Sequence, residues 1–193
     1  MPEILTDVDG VLLNWEDSFH SWMSSQGFDR NDEPAYQLEK CYPRLNPDFV
    51  YDKIRTFNAS AWMGYLEPYA DALHWVKQLY YAGITFHCIT SMGTDYCAGK
   101  LRERNLKDLF GPAISGVTIL DCGAHKGEAL APYKDSNRIW LEDHIGNANT
   151  GSELGLRTFL FNHSYNLVNP TSKPENFTRV DNWEQLVPHI LNK

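Results

Sequence analysis

The sequence predicts an α/β protein built on a parallel, doubly wound five-stranded sheet, and three observations carry that prediction. Short apolar runs alternate with segments of helical periodicity along most of the chain. Several of these runs end in acidic or hydroxyl residues, as strands do where they meet at one edge of such a sheet. The length, 193 residues of which 42% are hydrophobic, suits one domain with an insertion and is enough to bury a core.

The first run, Glu3-Ile4-Leu5-Thr6-Asp7-Val8, reads as a buried strand that closes in an acidic, glycine-containing turn. Residues 15–67 interrupt the alternation: they are rich in aromatics, Asn, Asp and Pro, with weak helical pieces at 16–25 and 48–57. They read as a small, mainly helical cap inserted after the first strand, which leaves 1–14 and 68–193 as the core domain. Such a cap is too short for much of a core of its own, so its aromatics are expected to bury against the main body or a ligand. From 69 to 82, Leu73, Val76, Leu79 and Tyr80 fall at helical spacing, and Gly83 sits where a helix C-cap belongs. A strand at 84–89 follows, then a helix over 94–105, a strand at 116–120, a short helix after Lys126 and a strand at 138–141. A short helix near 149–154 capped by Gly155, a strand at 157–161 and a helix carrying Trp183, Leu186, Val187, Ile190 and Leu191 complete the pattern.

Charge narrows the function classes. Lys and Arg total 17 against 25 Asp and Glu, a net charge of −8, which argues against a nucleic-acid polymer or an anionic membrane as partner. No run approaches the roughly 18 apolar residues of a membrane span, and MPEILTDVDG places acids where a signal peptide needs a positive start. A cytoplasmic protein is expected. Cys41, Cys88, Cys97 and Cys122 form no CxxC pair and read as reduced thiols, and the Asn-x-Ser/Thr triplets at Asn58, Asn162 and Asn176 read as chance.

Three strand ends are polar: Asp7-Val8-Asp9-Gly10, Thr90-Ser91 and Glu142-Asp143, with Lys126 at the start of a helix between the last two. In a parallel sheet all of these arrive at one edge, and the combination carries far more weight than any single piece. Asp7 and Asp9 are two apart with Gly10 following, so both carboxylates can turn toward one pocket, where they repel unless a cation holds them. Asp143, with Glu142 beside it, completes an oxygen-rich set suited to Mg²⁺, a hard ion that takes carboxylates and keeps several waters. An ion plus Lys126 would neutralise a phosphoryl group, while the Thr90 or Ser91 hydroxyl binds its oxygens. Asp7 can then attack phosphorus, and Asp9 can protonate the leaving oxygen and later activate water. Taken singly, Asp-x-Asp-Gly is an ordinary turn and Thr90-Ser91 an ordinary strand end. His125 and His144 flank the set as ligands, acids or packing residues.

These four pieces, in this order, resemble the motifs of the haloacid dehalogenase superfamily of phosphohydrolases. The resemblance implies a Rossmann-like sheet with the first strand central, Mg²⁺, a cap inserted after the first motif and an aspartyl-phosphate intermediate. It implies Asp7 as nucleophile, Asp9 as acid/base, Thr90 as phosphate-binding hydroxyl, Lys126 as the stabilising cation and Asp143 as a metal ligand. Asp9-Gly10-Val11-Leu12-Leu13-Asn14-Trp15, Leu66-Glu67-Pro68-Tyr69-Ala70-Asp71-Ala72-Leu73, Cys88-Ile89-Thr90-Ser91 and Phe161-Asn162-His163-Ser164-Tyr165-Asn166 are similar to the 5'(3')-deoxyribonucleotidase branch. In that branch an aromatic soon after the first motif stacks on the nucleobase, which implies Trp15 here; Phe19, Trp22 and Trp62 serve either as further base contacts or as cement between cap and core. Two positions depart from the pattern: Glu142 stands where the nucleotidases carry an aspartate, and Asn147 where many members of the superfamily have another Asp. The expected partner is therefore a small phosphomonoester, most simply a deoxynucleoside monophosphate, taken by a monomer or homodimer. A sugar phosphate or phosphoglycolate is the alternative substrate, and a binding module without catalysis the alternative class.

Overall fold

The computed structural model describes residues 2–31, 35, 37–167 and 176–191. The chain runs β1 (Glu3–Thr6), α1 (Trp15–Ser25), α2 (Pro47–Asn58), α3 (Ala70–Tyr81), β2 (Thr85–Thr90), α4 (Tyr96–Phe110), β3 (Ile114–Ile119), α5 (Gly127–Leu130), β4 (Ile139–Glu142), α6 (Ile145–Glu153), β5 (Arg157–Phe161), α7 (Ser164–Leu167), β6 (Thr178–Val180) and α8 (Trp183–Leu191). The strands form one sheet in the order β3-β2-β1-β4-β5-β6, and every pairing is parallel. The chain therefore moves outward from β1 through β2 and β3, then returns to β1's other side with β4. That reversal opens a crevice beyond the carboxyl ends of β1, β2 and β4, where open α/β sheets bind ligands.

Alternation along the strands divides the core between the two faces of the sheet. Leu5, Ile89 and Trp140 pack with Leu130 and Leu156 on one face. Their neighbours Ile4, Cys88 and Leu141 pack on the other, in a cluster with Val76 and Leu79 of α3 and Trp183 and Leu186 of α8. Trp183 also donates its indole N–H to the Val11 carbonyl at 3.1 Å and its backbone N–H to Asp71 at 3.0 Å. Packing of α8 thus anchors the loop that follows β1.

The sheet has six strands, a correction to the five read from the sequence. The added strand, β6, is three residues long with one buried side chain, Val180, so it carries neither apolar length nor alternation. Its pairing to β5, with Phe161 opposite Val180, is what defines it. Strand β3 begins at Ile114, earlier than expected, and reaches across Gly116, where a Cβ would lie 2.9 Å from the His87 ring.

Between β1 and α3 lie α1, α2 and two short 3-10 turns. Asn14 caps α1 and Asn46 caps α2, each through a side-chain oxygen that accepts a backbone N–H of the first turn. The inward faces of these helices meet in an aromatic cluster: Trp15 stacks on Phe19 with centroids 5.0 Å apart, and Phe57 meets Phe19 edge-on at 5.6 Å. Phe19, Met23, Tyr42 and Phe57 belong to the same apolar cluster as the strand residues. All four cysteines are unpaired, and no described helix is long and apolar enough to cross a membrane.

Candidate active site

The site forms where β1, β2 and β4 stop. Asp7 leaves β1 with its backbone N–H on the Leu141 carbonyl at 2.8 Å, so the last sheet bond fixes its position. Its Oδ1 accepts the Val8 N–H at 2.6 Å, and its Oδ2 lies 2.6 Å from Lys126 Nζ. Lys126, immediately before α5, is buried and also pairs with Glu142 Oε2 at 3.0 Å. Glu142, the last residue of β4, is completely buried, and its other oxygen accepts the His144 N–H at 3.1 Å and the Asn147 side-chain amide at 3.2 Å. Asp143 follows at the strand end, with the Tyr165 hydroxyl donating to its Oδ2.

Carboxylate oxygens of Asp7, Glu142 and Asp143 come within 4.8 Å of one another. Burial and the Glu142 charge push the Asp7 carboxyl up to about 7 against the pull of Lys126. Burial and the Asp7 charge push Asp143 up to about 7 as well, and burial raises Glu142. Lys126 stays charged, because Asp7 and Glu142 outweigh the cost of burying it. Three crowded carboxyls facing one ammonium are short of positive charge, and an all-oxygen set of this kind fits a hard divalent cation such as Mg²⁺. Gly10 makes room for the set: with φ of +80° it takes a backbone conformation that favours glycine, and a Cβ there would collide with Asp143 Oδ2.

A cavity of about 320 Å³ opens over this cluster, with Asp7, Asp9, Lys126, Glu142 and Asp143 in its walls. A second cavity of about 470 Å³ adjoins it, sharing Asp9, Trp15, Ser91 and Gly123 and reaching Tyr51, Arg55 and Asn58 of α2. Trp15 stands at the junction, its ring fixed by the Phe19 stack and by an N–H bond to Asn58 Oδ1 at 2.8 Å.

The sequence-selected residues are not all placed alike. Asp7, Lys126, Glu142 and Asp143 come together. Asp9 lines both cavities, but its carboxylate is paired with the buried Arg102 of α4, at 2.5 and 3.3 Å, and stands outside the three-carboxylate group. Ser91 lines both cavities while its hydroxyl donates to the Ala124 carbonyl at 2.8 Å. Thr90 is completely buried at the end of β2, and its Oγ1 has no hydrogen-bond partner among the described residues. Phe19 is completely buried and Trp62 is 44% exposed; neither lines either of these two cavities. His125 and His144 line the first cavity, and His144 caps α6 by accepting the Asn147 N–H on Nδ1. Burial, Lys126 and His125 hold the His144 imidazole down at about 4, so it is neutral at pH 7.

Sequence reasoning missed Arg102 and Asn58. Arg102 falls on the buried stripe of α4 with Ala98, Asn105 and Leu106, and a charge on an apolar face was the available signal. Asn58 carried no signal beyond its triplet.

No family model matches the chain. A curated relative, an uncharacterized 32.4 kDa protein in the Gp30-rIII intergenic region of Enterobacteria phage T4, is 26% identical over 163 residues. That match takes in 79% of this chain and 58% of the relative, so the chain spans little more than half of the relative's length. Solved structures align along almost the whole chain. The D,D-heptose 1,7-bisphosphate phosphatase from B. bronchiseptica, complexed with magnesium and phosphate, gives a TM-score of 0.61 at 12% identity, covering 100% of this chain and 99% of that one. CbbY from Rhodobacter sphaeroides, in complex with phosphate, gives 0.60 at 16% identity, covering 96% of each. At these identities the likeness to the two structures is one of fold.

Proposed function

We propose that this chain is a phosphomonoesterase that works through a phosphorylated Asp7 and requires a divalent cation, with Mg²⁺ the expected one. The observation that carries the reading is the buried contact of Asp7 with Lys126, set beside Glu142 and Asp143 at the sheet's point of reversal. An ordinary structural ion pair does not need three carboxyls pressed against one lysine under an open cavity. The phosphatases that share the fold support the same reading.

In this reading an Asp7 oxygen attacks phosphorus, and the bond from phosphorus to the leaving oxygen breaks as the new one forms. Asp9, at the boundary of the two cavities, gives the leaving oxygen a proton that it must first take up by loosening its pairing with Arg102. It then takes one from the water that attacks phosphorus, which frees phosphate and restores Asp7. Lys126 balances the charge of the transferring group. Asp7 and Asp143, with Glu142 beside them, would hold the cation, which supplies further charge neutralisation on the phosphoryl oxygens. Residues 15–67 act as the cap that walls the second cavity and takes the leaving group.

The favoured substrate is a deoxynucleoside monophosphate. Trp15, held rigidly at the junction of the cavities, offers a flat platform for a base. A sugar phosphate or phosphoglycolate is the second reading. Arg55 favours it: its exposed guanidinium at the rim of the second cavity suits another anionic group, as in the bisphosphate named for the B. bronchiseptica phosphatase. Phosphate release from deoxynucleoside and ribonucleoside monophosphates, sugar phosphates, phosphoglycolate and p-nitrophenyl phosphate, with Mg²⁺ and with EDTA, tests the proposal. Metal-dependent release led by deoxynucleotides is expected. Release led by a sugar phosphate keeps the chemistry and removes Trp15 as a base platform. No release from any of them rejects the enzyme reading in favour of a binding module.

A further inference from the structure

The segment that follows β5 sends three side chains back to the loops after β1 and β4. Asn166 is polar yet completely buried, and its amide donates to the Asp143 carbonyl at 2.9 Å and to the Phe161 carbonyl at 2.7 Å. The Tyr165 hydroxyl donates to the Asp143 carboxylate, as noted above. The His163 ring donates from Nε2 to the Gly10 carbonyl at 2.7 Å, and it stacks on Tyr165 with centroids 5.0 Å apart and planes 9° from parallel. Gly10 is in turn the residue whose missing side chain leaves space for Asp143. Backbone and carboxylate of Asp143, and the glycine beneath it, are thus gripped from one direction by a single turn of chain.

We infer that His163, Tyr165 and Asn166 are positioning residues for the divalent-cation site, with the Tyr165 hydroxyl setting the presentation of the Asp143 carboxylate. The inference rests on the metal-dependent reading given above. A carboxylate free to rotate must be ordered when an ion arrives, whereas one already held by a donor is ordered by folding. Donors behind metal ligands change metal affinity by about 10- to 100-fold when removed. None of the three residues needs to touch the ion or the substrate for this.

The test is a Mg²⁺ titration of the whole chain, read by calorimetry, on the unmodified protein and on Tyr165→Phe, Asn166→Ala and Asp143→Asn. Tyr165→Phe deletes one hydroxyl and keeps the stacked ring. It should weaken Mg²⁺ binding by about tenfold or more, whether or not the loss of one hydrogen bond also lowers the unfolding midpoint of the metal-free protein. Asn166→Ala should weaken binding in the same direction; if that variant fails to fold, Tyr165→Phe decides alone. A role confined to stabilising the fold through this hydrogen bond would instead lower the metal-free midpoint of Tyr165→Phe and leave its titration in place. A Tyr165→Phe titration that matches the unmodified protein, or is tighter, overturns the inference if Asp143→Asn has lost binding. If the unmodified protein takes up no Mg²⁺, or Asp143→Asn takes it up equally well, the metal-dependent reading falls and this inference with it.

Discussion

Asp7 has both carboxylate oxygens engaged, one by the backbone of Val8 and one by Lys126, and neither contact depends on neighbours outside the sheet's edge. Asp7→Asn keeps this volume and removes the nucleophile, so phosphate release should fall by about 10⁴-fold or more while circular dichroism stays unchanged. Release within tenfold of the unmodified enzyme would reject Asp7 as the attacking group. Trp15 belongs to the same scale but to the other half of the substrate. Stacking on a base is worth about 1 to 3 kcal/mol, so Trp15→Ala should raise KM for deoxynucleotides by about 5- to 150-fold and leave p-nitrophenyl phosphate far less affected. Trp15→Phe keeps a ring while giving up the bond to Asn58, and it should recover most of that loss. Equal effects of Trp15→Ala on the two substrates would mean that Trp15 only supports the wall of the cavity.

Among the elements, α6 shows how a charge can be made unaffordable by position. Its first turn is capped by His144 Nδ1, which can accept the Asn147 N–H only while unprotonated. With its pKa lowered from 6.5 to about 4, His144 takes up its proton in the unfolded chain first. Its stabilising contribution is therefore present above about pH 6.5 and is lost as pH falls toward 4, by an amount on the order of 2 to 3 kcal/mol. His144→Asn supplies a cap that does not titrate. Its stability relative to the unmodified protein should rise between pH 7 and pH 4, as measured by urea unfolding, and a constant difference across that range would refute the assignment. Elements of this kind were legible in the sequence to different degrees. Strand β5 appears where its apolar run places it, and α3 ends at the glycine expected to stop it, because burial on a sheet face writes a periodic pattern. Strand β6 writes none, since three residues with one buried side chain follow β5 rather than determine it. The acidic strand ends were legible for the same topological reason that brings them together. Arg102 on Asp9 and Tyr165 on Asp143 were not, because each contact joins segments whose proximity only the finished sheet creates.

For the molecule as a whole, the sheet's reversal places buried negative charge at one end of a chain that already carries −8. Folding must close Asp7, Glu142 and Asp143 together with Lys126 as their shared buried cation, and the upward shifts of the three carboxyls record that the closure opposes their ionisation. A cation that binds the folded state alone relieves this strain and stabilises by mass action, by about 2.7 kcal/mol at a hundred times its dissociation constant. For a chain of this size that corresponds to a rise in unfolding temperature of about 5 to 10 °C. Mg²⁺ should produce such a rise and EDTA should reverse it. Screening of the net charge also stabilises an acidic protein, but it does so for any salt and does not depend on one carboxylate. Two controls separate the effects: NaCl at matched ionic strength, and Asp143→Asn, whose charge change is a single unit. A rise specific to Mg²⁺ and absent in Asp143→Asn assigns the stabilisation to the strand-end cluster. A rise reproduced by NaCl, or retained in Asp143→Asn, would mean that the cluster is closed by Lys126 alone and that the ion acts on the surface.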